Sequence, residues 1–307
     1  MQSRPDSLKA ESDLVMVETL FPNWLQDRLM GEESFAEAYA KVPASERARL
    51  KACLAALFDW YGLRASRRDV RERSWGSGFQ SLELEEPLEW CLIRVYPGDR
   101  SPPRLLAAVL PPVLARVEAV MVVAEAPDVA WSHGQLLALE LAGIEQVFAL
   151  TPEEGRRLDS DLASMPSRGA AIELGPERTA SGRTESVPEP QAMMTRLPSP
   201  TVGIWSEGGD WDLEALAFAM PEGDFQIWSP EGAQAGSTGV PRTGSWEDFL
   251  ASGFDTVFVP TPSLRDALGR AERVFGYGQE GSWIWPELSL GHFSRLRIAL
   301  ADSGTRV

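Results

Sequence analysis

The feature that most constrains this chain is a regular alternation of short apolar runs with helix-spaced ones, from Glu86 to Phe275. The stretch "LLALELAGIEQVFAL", residues 136 to 150, is its clearest unit: a helix closes at Gly143 and passes directly into a short apolar strand. Around it lie "EPLEWCLIRVYPGD" as a strand, "SPPRLLAAVLPPVLARVEAV" as helical pieces interrupted by Pro111 and Pro112, "AVMVVAEAP" as a strand, "WSHGQLLALELAG" as a helix and "TPEEGRRLDSDLAS" as a helix capped by Thr151. The pattern resumes later: "TVGIWS", "DFQIWS" and "FDTVFVP" read as strands, and "DWDLEALAFAM", "SWEDFLASG" and "SLRDALGRAERVF" as helices. Strand and helix in turn at this spacing predict a mostly parallel sheet, twice over. The fold expected is therefore α/β with two Rossmann-like lobes and a ligand cleft between them.

Outside the two sets the sequence changes character. Residues 1–75 read as a helical N-terminal region that packs on the core or on a partner subunit, because "SDLVMVETLFPNWLQDRLM" and "ASERARLKACLAALFDWYGL" carry apolar residues at helical spacing, with Ser45 a candidate cap. Residues 76–174 form the first lobe. Residues 175–200 are too rich in proline, serine and charge to seal a core and read as a loop or linker. Residues 201–307 hold the second lobe and a tail, "GSWIWPELSLGHFSRLRIAL", whose elements the pattern leaves open.

A chain of 307 residues buries a substantial core without a metal or disulfide staple. Its formal charge of -16 opposes a polyanion, so nucleic acid is not an expected partner. No membrane-length apolar run and no leader pattern stand in it, so the expectation is a cytoplasmic protein with no membrane partner. Cys53 and Cys91, both in apolar surroundings, are expected as reduced, buried thiols.

The motifs of common chemistry are missing. "WGSGFQS" supplies Gly76 and Gly78 but no third glycine and no helix, so it does not make a dinucleotide fingerprint, and no phosphate-loop motif occurs. His133 and His292 are the only histidines and stand far apart, and no His or Cys pair has metal-ligand spacing. There is no Gly-x-Ser-x-Gly elbow, and neither cysteine has a histidine nearby. "IWSEGGDWDLEAL" and "QIWSPEG" repeat Ile-Trp-Ser after a strand. That would set Trp205 and Trp228 at the C-terminal ends of α/β strands, where such sheets bind ligands, with Glu207 at the following helix start.

The segment "LLAAVLPPVLARVEAVMVVAEAP" followed by "LLALELAGIEQVFAL" resembles the first cofactor-lobe segment of histidinol dehydrogenase. The resemblance implies a two-domain α/β core related in shape to aldehyde dehydrogenases, and enzymes that are dimeric, bind zinc, use NAD and oxidise L-histidinol twice. "GAAIELGPERTASG" is similar to the family's Gly-Pro-Ser-Glu loop, with Gly175, Pro176 and Glu177 in order but no serine. Other family elements are replaced. "TPEEGRRLDSDL" stands where a Gly- and Ala-rich segment is expected, and "LEALAFAMPEGDF" lacks the zinc-binding Gln-x-x-His. The catalytic Glu-His pair has no match. "STGVPRTG" puts Thr238 where the family has histidine, Glu231 falls near the place of a zinc-binding aspartate, and His292 is the sole candidate for the last histidine ligand.

The reading that follows is a catalytically degenerate histidinol dehydrogenase-like protein with a small-molecule or protein ligand and an expected homodimer. The alternatives are a divergent NAD-dependent oxidoreductase with a rebuilt site, and an oligomeric interaction protein. No catalytic residue is nominated; Trp205, Glu207, Trp228, Glu231, Thr238 and His292 are the candidates for the cleft. NAD is the cofactor left open, and zinc is not expected.

Overall fold

The computed structural model describes residues 20–124, 131–175, 192–207, 211–231 and 239–302. Three helical pieces open the described chain: a 3-10 turn at Asn23–Arg28, then α1 (Glu32–Lys41) and α2 (Ala44–Tyr61). Pro43, not Ser45, occupies the N-cap position of α2, and no side chain caps it. The helical region ends sooner than its apolar spacing suggests. β1 (Asp69–Trp75) and β2 (Phe79–Pro87) form an antiparallel hairpin, and "WGSGF" is its turn, with Gly78 at φ 89°.

The first lobe runs β3 (Trp90–Val95), α3 (Pro102–Leu114), β4 (Ala119–Ala124), α4 (His133–Leu141), β5 (Gln146–Ala149), α5 (Pro152–Ser164), β6 (Gly169–Leu174) and β7 (Ala192–Leu197). Its parallel sheet has the order β5-β4-β3-β6-β7. β7 corrects the expectation of a loop over 175–200: "AMMTRL" adds an edge strand beside β6, where one half-exposed face suffices, and residues 176–191 lie outside the described residues. α3 also departs from expectation by running unbroken through Pro111 and Pro112. Both prolines lie in its last turns, so the helix forgoes two N–H donors but keeps their carbonyls, which accept from Ala115 and Val117. Gly143, at φ 71°, closes α4 as expected, because the left-handed backbone there suits a residue without Cβ.

The second lobe runs β8 (Val202–Trp205), α6 (Leu213–Ala219), β9 (Phe225–Ser229), β10 (Val240–Thr243), α7 (Trp246–Ala251), β11 (Thr256–Phe258), α8 (Leu264–Leu268) and β12 (Arg273–Phe275). Its parallel sheet has the order β10-β9-β8-β11-β12. The segment read as one helix, "SLRDALGRAERVF", breaks at Gly269: α8 spans little more than a turn and "RVF" becomes β12. The tail resolves as a 3-10 turn at Leu290–Phe293 and β13 (Ser294–Asp302), which pairs antiparallel with β2 to complete a third sheet, β1-β2-β13.

Alternation along β3 explains the layering. Cys91, Ile93 and Val95 face one core with α3, α4 and the N-terminal helices, while Trp90 and Leu92 face another with Leu158 and Leu162 of α5. The first of these cores does not stop at the lobe boundary. It continues through Leu216, Phe258 and Phe275 of the second lobe to Trp283 and Trp285 of the tail. Both cysteines are buried and free in it. Burial pushes the Cys53 thiol up to about 11 and raises that of Cys91 further. No helix among the described residues is long and apolar enough to cross a membrane.

Candidate functional site

In a doubly wound sheet the ligand crevice lies beyond the C-terminal strand ends, where the chain leaves two neighbouring strands in opposite directions. Here those places are between β3 and β6 in the first lobe and between β8 and β11 in the second. The chain's own side chains reach into each, leaving at the first two small cavities of about 20 Å³, one beside Tyr96, Asp99, Trp131 and Gln135 and one beside Arg104, Val202, Met220 and Glu222.

At the first, the loop after β3 leads into α3, whose first two residues, Pro102 and Pro103, have no N–H to offer an anion. Ser101 caps that helix by accepting from the Arg104 N–H at 3.3 Å, and its hydroxyl donates to the Ala219 carbonyl of the second lobe at 2.5 Å. Two carboxylates take the remaining room. Asp99, 2% exposed, accepts from the Ser101 N–H and lies 3.5 Å from the Arg104 guanidinium. Glu222, from beyond α6, accepts from the Arg100 N–H and from Arg104 at 3.1 Å. Burial outweighs the neighbouring Arg104 charge and holds the Asp99 carboxyl above its ordinary range. The Arg104 Nε has no partner, but its guanidinium lies over the Trp283 ring at 5.7 Å. Arg273 of β12 lies over the same ring at 5.4 Å and over Trp285 at 5.3 Å. Trp285 in turn donates its indole N–H to the Arg104 carbonyl. One cation–π group thus joins first lobe, second lobe and tail.

At the second, Trp211 covers the crevice. Its N–H donates to the Trp205 carbonyl at 2.9 Å, and its ring meets Phe258 at 6.1 Å and Tyr277 at 4.3 Å. Asp212 beside it caps α6, which holds its carboxyl below the usual range, and pairs with Arg49 of α2.

The five described sequence candidates do not gather at either place. Trp205 and Trp228 are register partners at the ends of β8 and β9, as their spacing suggests. Their rings nevertheless pack with Phe249, which fixes them as part of the outer core beneath α7. Glu207 and Glu231 are exposed beyond those strands. Thr238 lies outside the described residues. His292 accepts the Ser289 N–H on Nδ1 at 3.0 Å and closes the short turn before β13. His133 is the first residue of α4, with Ser132 as its cap.

Asp99, Arg104, Trp211 and Trp283, which do fill the crevices, were missed by sequence reasoning. A signal existed for two of them: "PGDRSPPR" is a strand exit, a buried acid and a proline-led helix in one stretch. Neither group implied by the family resemblance fits. A dinucleotide pyrophosphate at α3 would meet the Asp99 and Glu222 carboxylates. For zinc, no group of three His, Cys, Asp or Glu among the described residues could hold an ion, and the His292 Nδ1 is already engaged.

No family model and no curated sequence matches the chain. Solved structures do. Histidinol dehydrogenase from Elizabethkingia anophelis is similar over 91% of this chain and 78% of that one, with a TM-score of 0.55 at 13% identity. Succinate-semialdehyde dehydrogenase from Burkholderia pseudomallei is similar over 88% and 84%, with a TM-score of 0.46 at 9% identity. At the identity of the first, the likeness shows a shared fold: two parallel α/β lobes in the arrangement of histidinol dehydrogenase.

Proposed function

We propose that the chain is a catalytically degenerate member of this fold, an interaction protein rather than an oxidoreductase. One observation carries the reading: Arg104, Trp283 and Arg273 stack where the lobes meet, Asp99 and Glu222 are bonded to Arg104 and to the loop before α3, and that helix starts on two prolines with no N–H for a phosphate. A dinucleotide enzyme leaves that helix end open to phosphate, and its cleft opens to admit substrate. Here opening would separate buried charges from their partners, at a cost of several kcal/mol on the order of a broken buried pair. Calorimetric titration of the full chain with NAD, zinc and L-histidinol tests this. The expected result is no heat of binding from any of the three. Micromolar NAD affinity, or one zinc ion per chain in a native mass spectrum, would overturn it and favour a rebuilt oxidoreductase site.

A further inference from the structure

Glu280 lies in the turn between β12 and the tail and is only 6% exposed, yet among the described residues no hydrogen bond or ion pair reaches its carboxylate. Burying a carboxylate alone is costly, so such a group ordinarily has a cation or several N–H donors about it. An arginine lies alongside. A Cβ on Gly281 would stand 3.3 Å from the Arg49 Cβ and 3.7 Å from its Cδ, so the Arg49 stem runs over that turn, and Glu280 is the next residue, about 3.8 Å along the backbone. The Arg49 guanidinium, however, is engaged with Asp212. That acid needs it little: its side chain is 44% exposed, and it caps α6 by accepting from the Ala215 N–H at 2.9 Å. Two further acids share the same charge. Burial raises the Glu46 carboxyl of α2 above its ordinary range, while Arg49 pulls it down and Glu214 of α6 pushes it up. One guanidinium thus stands among four carboxylates and is paired with an exposed one.

We propose that Arg49 is a two-position tether: in one position it holds Asp212 and with it the Trp211 cover of the second crevice, and in the other it swings across Gly281 to Glu280 and leaves that cover loose. The two positions are close in energy. The second gives a buried acid its cation but takes the guanidinium further out of water, and those two effects oppose one another. Gly281 keeps the path clear, since any side chain there would stand against the Arg49 stem. Both ends of the swing lead to the same pair of rings. Asp212 follows Trp211 directly, and Glu280 lies in the turn that carries Tyr277, whose ring meets Trp211 at 4.3 Å. Moving one guanidinium therefore transfers the hold of α2 from the Trp211 half of the pair to the Tyr277 half. The inference concerns the second crevice and stands or falls apart from the reading of the first.

Two measurements on the full chain test it. The first is a double-mutant cycle in urea unfolding with Arg49→Met and Glu280→Gln, run in the wild-type chain and again in an Asp212→Asn chain, where asparagine keeps the α6 cap and removes the competing charge. The coupling between Arg49 and Glu280 is expected to grow by about fivefold in the unfolding equilibrium constant once Asp212 is neutral. The second is solvent exchange of the Trp211 indole N–H, which donates to the Trp205 carbonyl, followed by nuclear magnetic resonance with the signal assigned through Trp211→Phe. Exchange is expected to be several-fold faster in Asp212→Asn and several-fold slower in Glu280→Gln, which leaves Arg49 only its first position. A fixed Arg49–Asp212 pair would give the first of these changes and not the second. Coupling that stays the same in the Asp212→Asn chain, or Trp211 exchange that is unchanged or faster in Glu280→Gln, would overturn the inference. Should Asp212→Asn fail to fold, the exchange rate in Glu280→Gln decides alone, since that variant replaces an unpaired buried charge by a neutral group and is expected to be no less stable than the wild type.

Discussion

The two lobes have the same strand order, third-second-first-fourth-fifth within each set, yet they close their crevices by opposite chemistry. The first is stopped by charge, with Asp99 and Glu222 on Arg104; the second is stopped by an aromatic ring, Trp211 on Phe258 and Tyr277. The difference teaches that topology sets where a crevice falls, while a few residues beyond the strand ends decide whether anything else can enter it. It also predicts that the two plugs respond differently to the same insults.

The largest effect is expected in the aromatic plug. Trp211→Ala removes a buried ring and a hydrogen bond, so urea unfolding should show a loss of about 4 kcal/mol, and Trp211→Phe, which keeps most of the ring, about 1 kcal/mol. Neither loss should depend on pH. Arg104→Ala comes next, at about 3 kcal/mol near neutral pH, because it leaves two carboxylates without their buried cation. That loss should shrink as the pH is lowered into the acid range, because burial makes Asp99 take up its proton above its ordinary value. Equal losses at neutral and acid pH would show that packing over Trp283, not charge, is what Arg104 supplies.

A smaller effect sharpens the parallel between the lobes. Each sheet uses a glycine where a ring lies flat on the backbone: a Cβ on Gly169 would stand 2.0 Å from the Trp90 indole, and one on Gly203 2.4 Å from the Phe254 ring. Gly169→Ala and Gly203→Ala should each lower stability by about 2 kcal/mol in thermal scans, since buried rings and sheet backbone give way little. The smallest effect is a slope. Burial raises the Asp99 carboxyl above its ordinary 3.8, so the folded chain keeps a proton that the unfolded chain has lost. Its contribution is full below 3.8 and fades as pH rises through the folded value. Asp99→Asn should flatten that part of the stability profile, and an unchanged profile would assign the slope to another group.

The two-lobe α/β fold was legible because strand and helix periods alternate cleanly and because Gly143 and Thr151 mark element ends by their own chemistry. The third sheet was not. β1 reads as charge, and β13 sits in a tail more than 200 residues from the strand it pairs with, so no local pattern joins them. Pro111 and Pro112 suggested a break that helix position and burial override. The repeated Ile-Trp-Ser marks the ends of β8, which borders the crevice, and of β9, which lies one strand away from it. Trp205 turns into the outer core, and Trp211, six residues on, is the one that covers the crevice. Which way a side chain turns is set by the layer packed against it, and that is decided far away in sequence.

The route of the core through the tail has a consequence for how the protein is made. Arg104, at the start of the chain's first α/β helix to be synthesised, gives its carbonyl to Trp285 and its guanidinium to Trp283, and β2 waits for β13. A ribosome that has delivered the whole first lobe has therefore not delivered what closes it. The early lobe must stand half-built, with the start of α3 and one edge of β2 uncovered, until residues near 300 emerge, and for that interval the nascent chain is a natural client for a chaperone.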